Sequence, residues 1–347
     1  AAVYQYNESG YRDCGFINKK GEFVIKPEYD WVRPFVNGCA VADIGERSWY
    51  LDKQGRRYDN VFDLLIAMEK FATQDKMSYE DFVADVDDEL PERTIDNSET
   101  FAIVIANEKY KEVASVAYAE NDGQVMVNYL HKTIGIPERN ILFYENASSV
   151  EMKSALKKLS SKTEALLGIG KPVKVIYYYS GHGVPDENGK DAYLLPVDVP
   201  ISEINDYAIS LNQLYTQLGS IGAESITVLL DACFSGAGKD DKMLANVKGV
   251  ALEPKEASPK GNMIVLSACS GDQTAHFYEP AKHGLFTYWL LRKLKETKGD
   301  VTLGDLAQYI QGYVRYTAST LDVEQSPTIR VSPLLQDRWN EIRFINK

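Results

Sequence analysis

His182 and Cys233 stand 51 positions apart, each at the end of a similar segment. Val173-Lys-Val-Ile-Tyr-Tyr-Tyr-Ser-Gly leads into His182 and Gly183, and Ile226-Thr-Val-Leu-Leu-Asp-Ala leads into Cys233, Phe234, Ser235 and Gly236. A cysteine attacks as its thiolate, so its free pKa of about 8.5 must be lowered, or its proton removed, by a nearby base. Histidine is the usual base because it titrates near neutrality, and its imidazolium can then protonate a leaving amine. The pair therefore reads as nucleophile and base of an acyl-transfer centre, the core of a cysteine peptidase. The backbone N–H groups of Gly183 and Cys233 are the candidate oxyanion donors. Taken singly, a buried cysteine is more often a packing residue, and a lone histidine is usually a hydrogen-bonded core or surface residue. The joint placement, each residue flanked by Gly and Ser, is what points to chemistry.

Both segments are apolar runs rich in β-branched or aromatic residues, the pattern of parallel strands buried on both faces. Reactive groups in open α/β sheets gather beyond the carboxyl ends of such strands. From Phe101 onward, strand and helix patterns alternate. Phe101–Ile105, Ile141–Phe143 and Met263–Leu266 read as strands, and Val127, Leu130 and Ile134 mark a helix stripe. Ser148 and Glu151 form a capping box ahead of a helix with Met152, Ala155, Leu156 and Leu159 on one face. Further helices are expected near Leu211–Leu218, over Leu285–Lys295, and from the box Thr302 to Asp305. This alternation predicts an α/β fold, a mostly parallel central sheet covered by helices on both faces.

The chain has 347 residues, with 44% hydrophobic and 25% charged residues and a net charge of −12. Such an acidic balance argues against nucleic acid or an anionic membrane as the main partner. The longest apolar runs, about seven residues, fall far short of the ~20 that a membrane helix needs. No secretory leader is evident and the chain begins with Ala1, so the expectation is a soluble protein, exported after leader removal or cytoplasmic, with the compartment open. Four cysteines, Cys14, Cys39, Cys233 and Cys269, are too few for a disulfide framework. Cys14 and Cys39 read as small buried residues, a bridge between them being the alternative.

The first 60 residues carry an imperfect repeat: Phe16-Ile-Asn-Lys-Lys-Gly21 recurs as Tyr50-Leu-Asp-Lys-Gln-Gly55, 34 residues later. Each copy reads as a strand entering a tight turn, so residues 1–60 are expected to form a small β-hairpin module. The module resembles the WG-repeat family, with Cys14-Gly15 and Ser48-Trp49 where that family carries its Trp-Gly; this resemblance implies a binding or structural role. Residues 61–98 read as a connector, helical around Phe62–Phe71 and acidic over Asp85–Glu89. The remainder, 99–347, is the expected catalytic domain.

That domain resembles the caspase-like cysteine peptidases, and more closely their metacaspase branch. Tyr179-Ser-Gly-His182-Gly183 and Asp231-Ala-Cys233-Phe-Ser-Gly236 look like the family's two signature segments, and their separation is near the ~50 residues of caspases. Ile105–Tyr110, Ala119–Asp122 and Leu266–Ala275 resemble further family segments. The resemblance implies the caspase-hemoglobinase fold, a Cys233–His182 dyad, and hydrolysis of peptide bonds without a metal in the cleavage step. It also implies a pocket for Arg or Lys made by Asp122, Ser180 and Asp231, where caspases that cut after aspartate carry glutamine in place of Asp231. Two carboxylates in a partly buried pocket repel one another, which a cationic guest relieves. The alternatives are an N-cap role for Asp122 and a structural hydrogen bond for Asp231.

The lysines of the 237–262 linker, Lys239, Lys242, Lys248, Lys255 and Lys260, are candidate self-cleavage sites. Some metacaspases require calcium for activation; Asp240 and Asp241 resemble one such ligand position, but the family's other acidic ligands are not matched and the leading reading is a solvated charge pair. Cys269, which follows another apolar strand, is a rival nucleophile read as a buried wall residue. His131 reads as a helix-surface residue, and His276 and His283 as members of a polar loop without a role. The leading expectation is an endopeptidase that cuts peptide or protein substrates after Arg or Lys, with a monomer favoured. The alternatives are a catalytically idle caspase-like scaffold, or another acyl-transfer enzyme using the same dyad.

Overall fold

The computed structural model describes residues 2–6, 12–33, 35, 40–45, 47–58, 86–93, 96–185, 191–234, 257–271 and 273–345. The expected helix at Phe62–Phe71, Cys39, and most of the 237–262 linker with Asp240 and Asp241 lie outside the described residues. The chain divides into two compact units, Ala1–Phe82 and Val83–Lys347.

In the first unit, β1 (Ala2–Tyr6), β2 (Arg12–Ile17) and β3 (Phe23–Tyr29) form one antiparallel sheet. A second antiparallel sheet is built from β4 (Trp31–Val32), β5 (Ala40–Ile44), β6 (Arg47–Leu51) and β7 (Arg57–Tyr58). The sequence repeat is a repeat of turn chemistry. Asn18 Oδ1 accepts from the N–H of Lys20 (2.8 Å) and of Glu22 (3.1 Å). In the second copy Asp52 Oδ1 accepts from Gln54 (2.9 Å) and Arg56 (3.0 Å). Such side-chain-to-backbone bonds fix the turn, and Gly21 (φ +84°) and Gly55 (φ +79°) supply the left-handed residue that closes it. Cys14, Phe16, Ile25, Tyr29 and Leu51 are among the residues of the small core. Cys14 is a free thiol donating to the Asp30 carbonyl.

The second unit is built on a six-stranded sheet. Its strands are β8 (Thr100–Ala106), β9 (Ile141–Glu145), β10 (Lys174–Ser180), β14 (Ser225–Asp231), β15 (Met263–Ser267) and β18 (Thr328–Val331). The spatial order is β18-β15-β14-β10-β8-β9, parallel throughout except for the edge strand β18, which runs antiparallel to β15. Two small antiparallel sheets accompany it: β11 (Gly183–Pro185), β12 (Ala192–Leu194) and β13 (Ile209–Ser210), and the hairpin β16 (Phe277–Tyr278) with β17 (His283–Gly284). The principal helices are α1 (Ala119–Asn128), α2 (Ser149–Gly168), α3 (Leu211–Gly219), α4 (Leu285–Thr297) and α5 (Leu303–Thr320). No helix among the described residues is long and apolar enough to cross a membrane.

All seven residues of β8 and of β14 are buried, as continuous apolar runs require when both faces are covered. Alternation along the strands decides which helices meet which residues. Ile105, Tyr177, Tyr179, Val228 and Leu230 share a core with the apolar stripes of α2 and α3. The stripe on α2 is the expected Met152, Ala155, Leu156 and Leu159, behind a capping box in which Ser148 and Glu151 bond reciprocally. On the other face lie Ala106, Tyr178, Ser180 and Asp231, met by α1 and α4. A Cβ on Gly123 of α1 would stand 2.4 Å from the Ala106 Cβ, so glycine lets α1 seat directly on β8. Tyr178 Oη lies 2.7 Å from Thr287 Oγ1 of α4. The chain leaves β8 first toward β9 and then returns to β10 on its other side, so strand order reverses between β8 and β10, the place where open α/β sheets bind ligands.

Candidate active site

The register of the three central strands builds the site. Ala106, Ser180 and Asp231 stand level at the carboxyl ends of β8, β10 and β14. Gly181 N–H donates to the Asp231 carbonyl (3.3 Å), which carries the pairing one residue further. His182 and Cys233 each follow two residues beyond this level pair, so they leave neighbouring strands side by side. A Cβ on Gly183 would lie 2.5 Å from the Cys233 carbonyl oxygen and 2.5 Å from Phe234 Cδ1. Glycine after the histidine is thus required by the backbone approach of the cysteine segment.

His182 is held from several directions. Its N–H donates to Tyr110 Oη (2.8 Å), and its carbonyl accepts from Tyr179 Oη (2.7 Å) and from the N–H of Leu195 (3.0 Å). The Tyr110 ring packs on the imidazole with centroids 4.7 Å apart. Nε2 lies 2.7 Å from the Ala114 carbonyl oxygen. A carbonyl can only accept, so Nε2 carries the proton and the neutral ring keeps its lone pair on Nδ1. Burial raises the Tyr110 phenol well above its ordinary range, so it remains a neutral donor and acceptor beside the imidazole. Both His182 and Cys233 are buried.

Cys269 lies alongside Ala232, and its thiol sits 3.4 Å from the Gln273 carbonyl and 3.7 Å from that of Ala232. It is a buried thiol turned toward backbone acceptors, next to the segment that carries Cys233.

On the sheet face toward α1 and α4, Ser180, Asp231 and Asp122 come together. Ser180 Oγ donates to Asp122 Oδ2 (3.0 Å). Asp122 lies in the first turn of α1, whose N-cap position is Tyr118, so it is not the cap of that helix. Asp231 Oδ2 accepts from the N–H (3.2 Å) and hydroxyl (2.7 Å) of Thr287. Gly284 sits between the two acids: a Cβ there would stand 2.1 Å from Asp231 Oδ2 and 3.0 Å from Asp122 Oδ2. Both carboxylates are fully buried.

Sequence reasoning placed His283 in a polar loop; the structure corrects this. His283 is in β17, fully buried, with Nδ1 2.8 Å from Asp122 Oδ1 and Nε2 2.7 Å from Asp87 Oδ1. Both ring nitrogens face carboxylates, and only the imidazolium can donate to both. Burial alone would lower its pKa, but the hydrogen bonds and charges of Asp122 and Asp87 prevail and raise it to about 9. The sequence signal available was Gly284 and the largely apolar first two turns of α4 directly after it. Thr287 was likewise missed, for a threonine inside an apolar helix carries no pattern of its own. His131 lies on the π-helical segment Tyr129–Thr133 that continues α1, partly exposed as expected of a helix-surface residue, its Nδ1 3.0 Å from the Ile136 carbonyl oxygen. Among the described residues no group of three or more His, Cys, Asp or Glu side chains is arranged to hold a metal ion.

Comparison with known proteins gives this geometry a family. Residues 99–337 match the family model described as caspase domain, and residues 15–46 match that of the WG containing repeat. Metacaspase-1A of Aspergillus oryzae is 24% identical over 224 residues, covering 58% of this chain and 52% of that protein. Metacaspase-1 of Eremothecium gossypii is 27% identical over 164 residues, covering 44% and 35% respectively. The chain thus spans about half and about a third of the length of these two relatives. Caspase-1 from Spodoptera frugiperda is a structural neighbour with a TM-score of 0.46 at 12% identity, covering 71% of this chain and 91% of that one. By a domain match that takes in more than half of its length, this chain belongs to the caspase domain family and carries a WG repeat ahead of that domain.

Proposed function

We propose that the chain is a cysteine endopeptidase that cuts after Arg or Lys, with Cys233 as nucleophile and His182 as its base. The observation that carries this is the level register of Ser180 with Asp231, which delivers histidine and cysteine from adjacent strand ends. The bond from Nε2 to the Ala114 carbonyl supports Nδ1 as the basic atom. In this reading the Cys233 thiol gives its proton to Nδ1 and the thiolate attacks the scissile carbonyl carbon. The oxyanion forms toward the N–H groups of Gly183 and Cys233. The imidazolium returns its proton to the departing amine, leaving an acyl-enzyme. Water, deprotonated by the same imidazole, then releases the acid and frees the thiol. Asp231, Asp122 and Ser180 form the pocket for the basic side chain, whose positive charge would meet buried carboxylates there.

The test is labelling by a thiol-reactive peptide with arginine at its reactive end. The expected result is one covalent adduct per chain in wild type and none in Cys233→Ala. An unlabelled wild type would favour the catalytically idle scaffold. Self-processing in the 237–262 linker belongs to the same proposal: wild type is expected to yield two fragments and Cys233→Ala a single band. The division into a 1–60 repeat module, a 61–98 connector and a 99–347 catalytic domain is also proposed, as are bond cleavage that requires no cofactor and a monomeric state.

A further inference from the structure

We infer that Asp87 is a positioning residue for substrate selection: from the segment ahead of β8, and through the His283 ring, it fixes the Asp122 carboxylate in the pocket. This rests on the pocket reading given above. It extends the specificity machinery to a residue ahead of the matched caspase domain, which begins at residue 99.

The backbone around Asp87 is tied down on both sides. Val86 is buried, and its carbonyl accepts from Tyr129 Oη (2.9 Å). The Asp88 carbonyl accepts from Lys295 Nζ of α4 (2.7 Å). Further on, the Pro91 carbonyl accepts from Thr133 Oγ1 (2.7 Å), and the Arg93 guanidinium donates to the Lys298 carbonyl (2.9 Å). The segment is a strap bonded to the continuation of α1 and to the last turn of α4, so Asp87 is presented at a set place. Its Oδ1 lies 2.7 Å from His283 Nε2, and His283 Nδ1 lies 2.8 Å from Asp122 Oδ1. The Asn121 amide also faces this ring, 3.3 Å from Nε2. The raised pKa of His283, about 9, keeps a proton on each nitrogen at neutral pH, so both bonds to carboxylates persist. An imidazole is planar and rigid, so a bond at Nε2 also sets the direction of the Nδ1–H. Asp122 Oδ2 in turn accepts from Ser180 Oγ (3.0 Å). Asp87, His283, Asp122 and Ser180 therefore form one continuous chain of bonds. It runs from a side chain that is 41% exposed to the fully buried carboxylate in the pocket. Without the outer bond the ring is free to turn about its Cβ–Cγ bond, and Asp122 loses a fixed partner.

The test is the ratio of kcat/KM for otherwise identical peptides with arginine or norleucine before the scissile bond, at pH 7, in the full chain. Asp87→Ala is expected to lower that ratio about tenfold, chiefly as a higher KM for the arginine peptide. Two further variants part geometry from charge. Asp87→Asn keeps an oxygen that accepts from Nε2 but removes the charge, and is expected to hold the ratio within about threefold of wild type. Asp87→Glu keeps the charge but lengthens the arm, and is expected to lower the ratio about threefold to tenfold. In a His283→Gln background, where the route is cut, Asp87→Ala is expected to move the ratio by less than about twofold. A fall as large in that background as in wild type would show that Asp87 does not act through His283, and overturns the inference. So does a ratio for Asp87→Asn as low as that for Asp87→Ala, which would make the effect one of charge at a distance. A merely structural role would lower activity on both peptides together and leave the ratio unmoved.

Asp122→Asn separates the inference from the pocket reading beneath it. If Asp122→Asn lowers the arginine preference while Asp87→Ala leaves it unchanged, the inference is overturned and the pocket stands. If Asp122→Asn leaves the preference intact, the pocket reading falls and the inference with it. Should Asp87→Ala fail to fold, Asp87→Glu still decides: an unchanged ratio overturns the inference.

Discussion

Two histidines at the carboxyl ends of this sheet live in opposite electrostatic surroundings. His182 has a backbone carbonyl at Nε2 and a neutral tyrosine tilted at 48° against its ring. His283 has a carboxylate at each nitrogen and a pKa raised to about 9. A base for a thiol must exchange its proton near neutrality, which is the part proposed for His182. A histidine between two carboxylates is a fixed cation over the same range. One residue type thus stands as the proposed proton carrier at one strand end and as a counter-ion to Asp122 at the other place.

The sharpest contrast should come from deleting the groups at the reactive end. Cys233→Ala or His182→Ala is expected to lower kcat/KM on an arginine peptide about 10³-fold or more, while far-UV circular dichroism and melting stay near wild type. Loss of the fold instead would make these residues structural.

At the other histidine the effect should be on stability. His283 has its pKa raised from 6.5 to about 9, so its contribution is fully present below 6.5 and is lost as pH rises through 9. A shift of that size corresponds to about 3 kcal/mol. Asp87 has the opposite sign. Burial alone would raise its pKa, yet the bond to His283 holds it below the ordinary value, so its contribution is lost as pH falls. The stability gap between wild type and His283→Gln, measured by urea unfolding, should be widest near pH 6.5 and close above pH 9. A gap independent of pH would show that charge plays no part.

Asp231→Asn tests the acidic side on its own. It is expected to cut the arginine-over-norleucine ratio about 30- to 100-fold, the ~2–3 kcal/mol of a desolvated charge pair, with far less change on the norleucine peptide. The smallest expected effect lies away from both histidines. Ser148→Ala removes the N-cap of α2 and should cost about 1 kcal/mol of stability without moving the arginine-over-norleucine ratio. A change in that ratio would mean that α2 is coupled to the pocket.

What sequence revealed at these two places follows from how each is built. β10 and β14 are continuous apolar runs ending in small residues, so the strands, their parallel character and the two residues at their ends could be read directly. The Asx turns after Phe16 and Tyr50 were legible for a similar reason, since a turn held by its own side chain is written locally. His283 was opaque because its partners lie 161 and 196 positions away, and its own neighbours Glu279, Pro280, Ala281 and Lys282 read as a surface loop. The edge strand β18 was missed because Thr328–Val331 is short and half-buried on every residue, which leaves no alternation to detect. Asp122 was picked out by family resemblance, but its saturation by His283, Ser180 and Gly284 depends on α1 seating on β8 through Gly123.

The most direct measurement of the proposed activity is kcat/KM over a peptide set that varies only at the residue before the scissile bond, on wild type and on Cys233→Ala. The expected result is Arg and Lys above norleucine by about 100-fold, aspartate lowest, and all turnover lost in Cys233→Ala. A preference for aspartate, or turnover that survives the loss of Cys233, would contradict it.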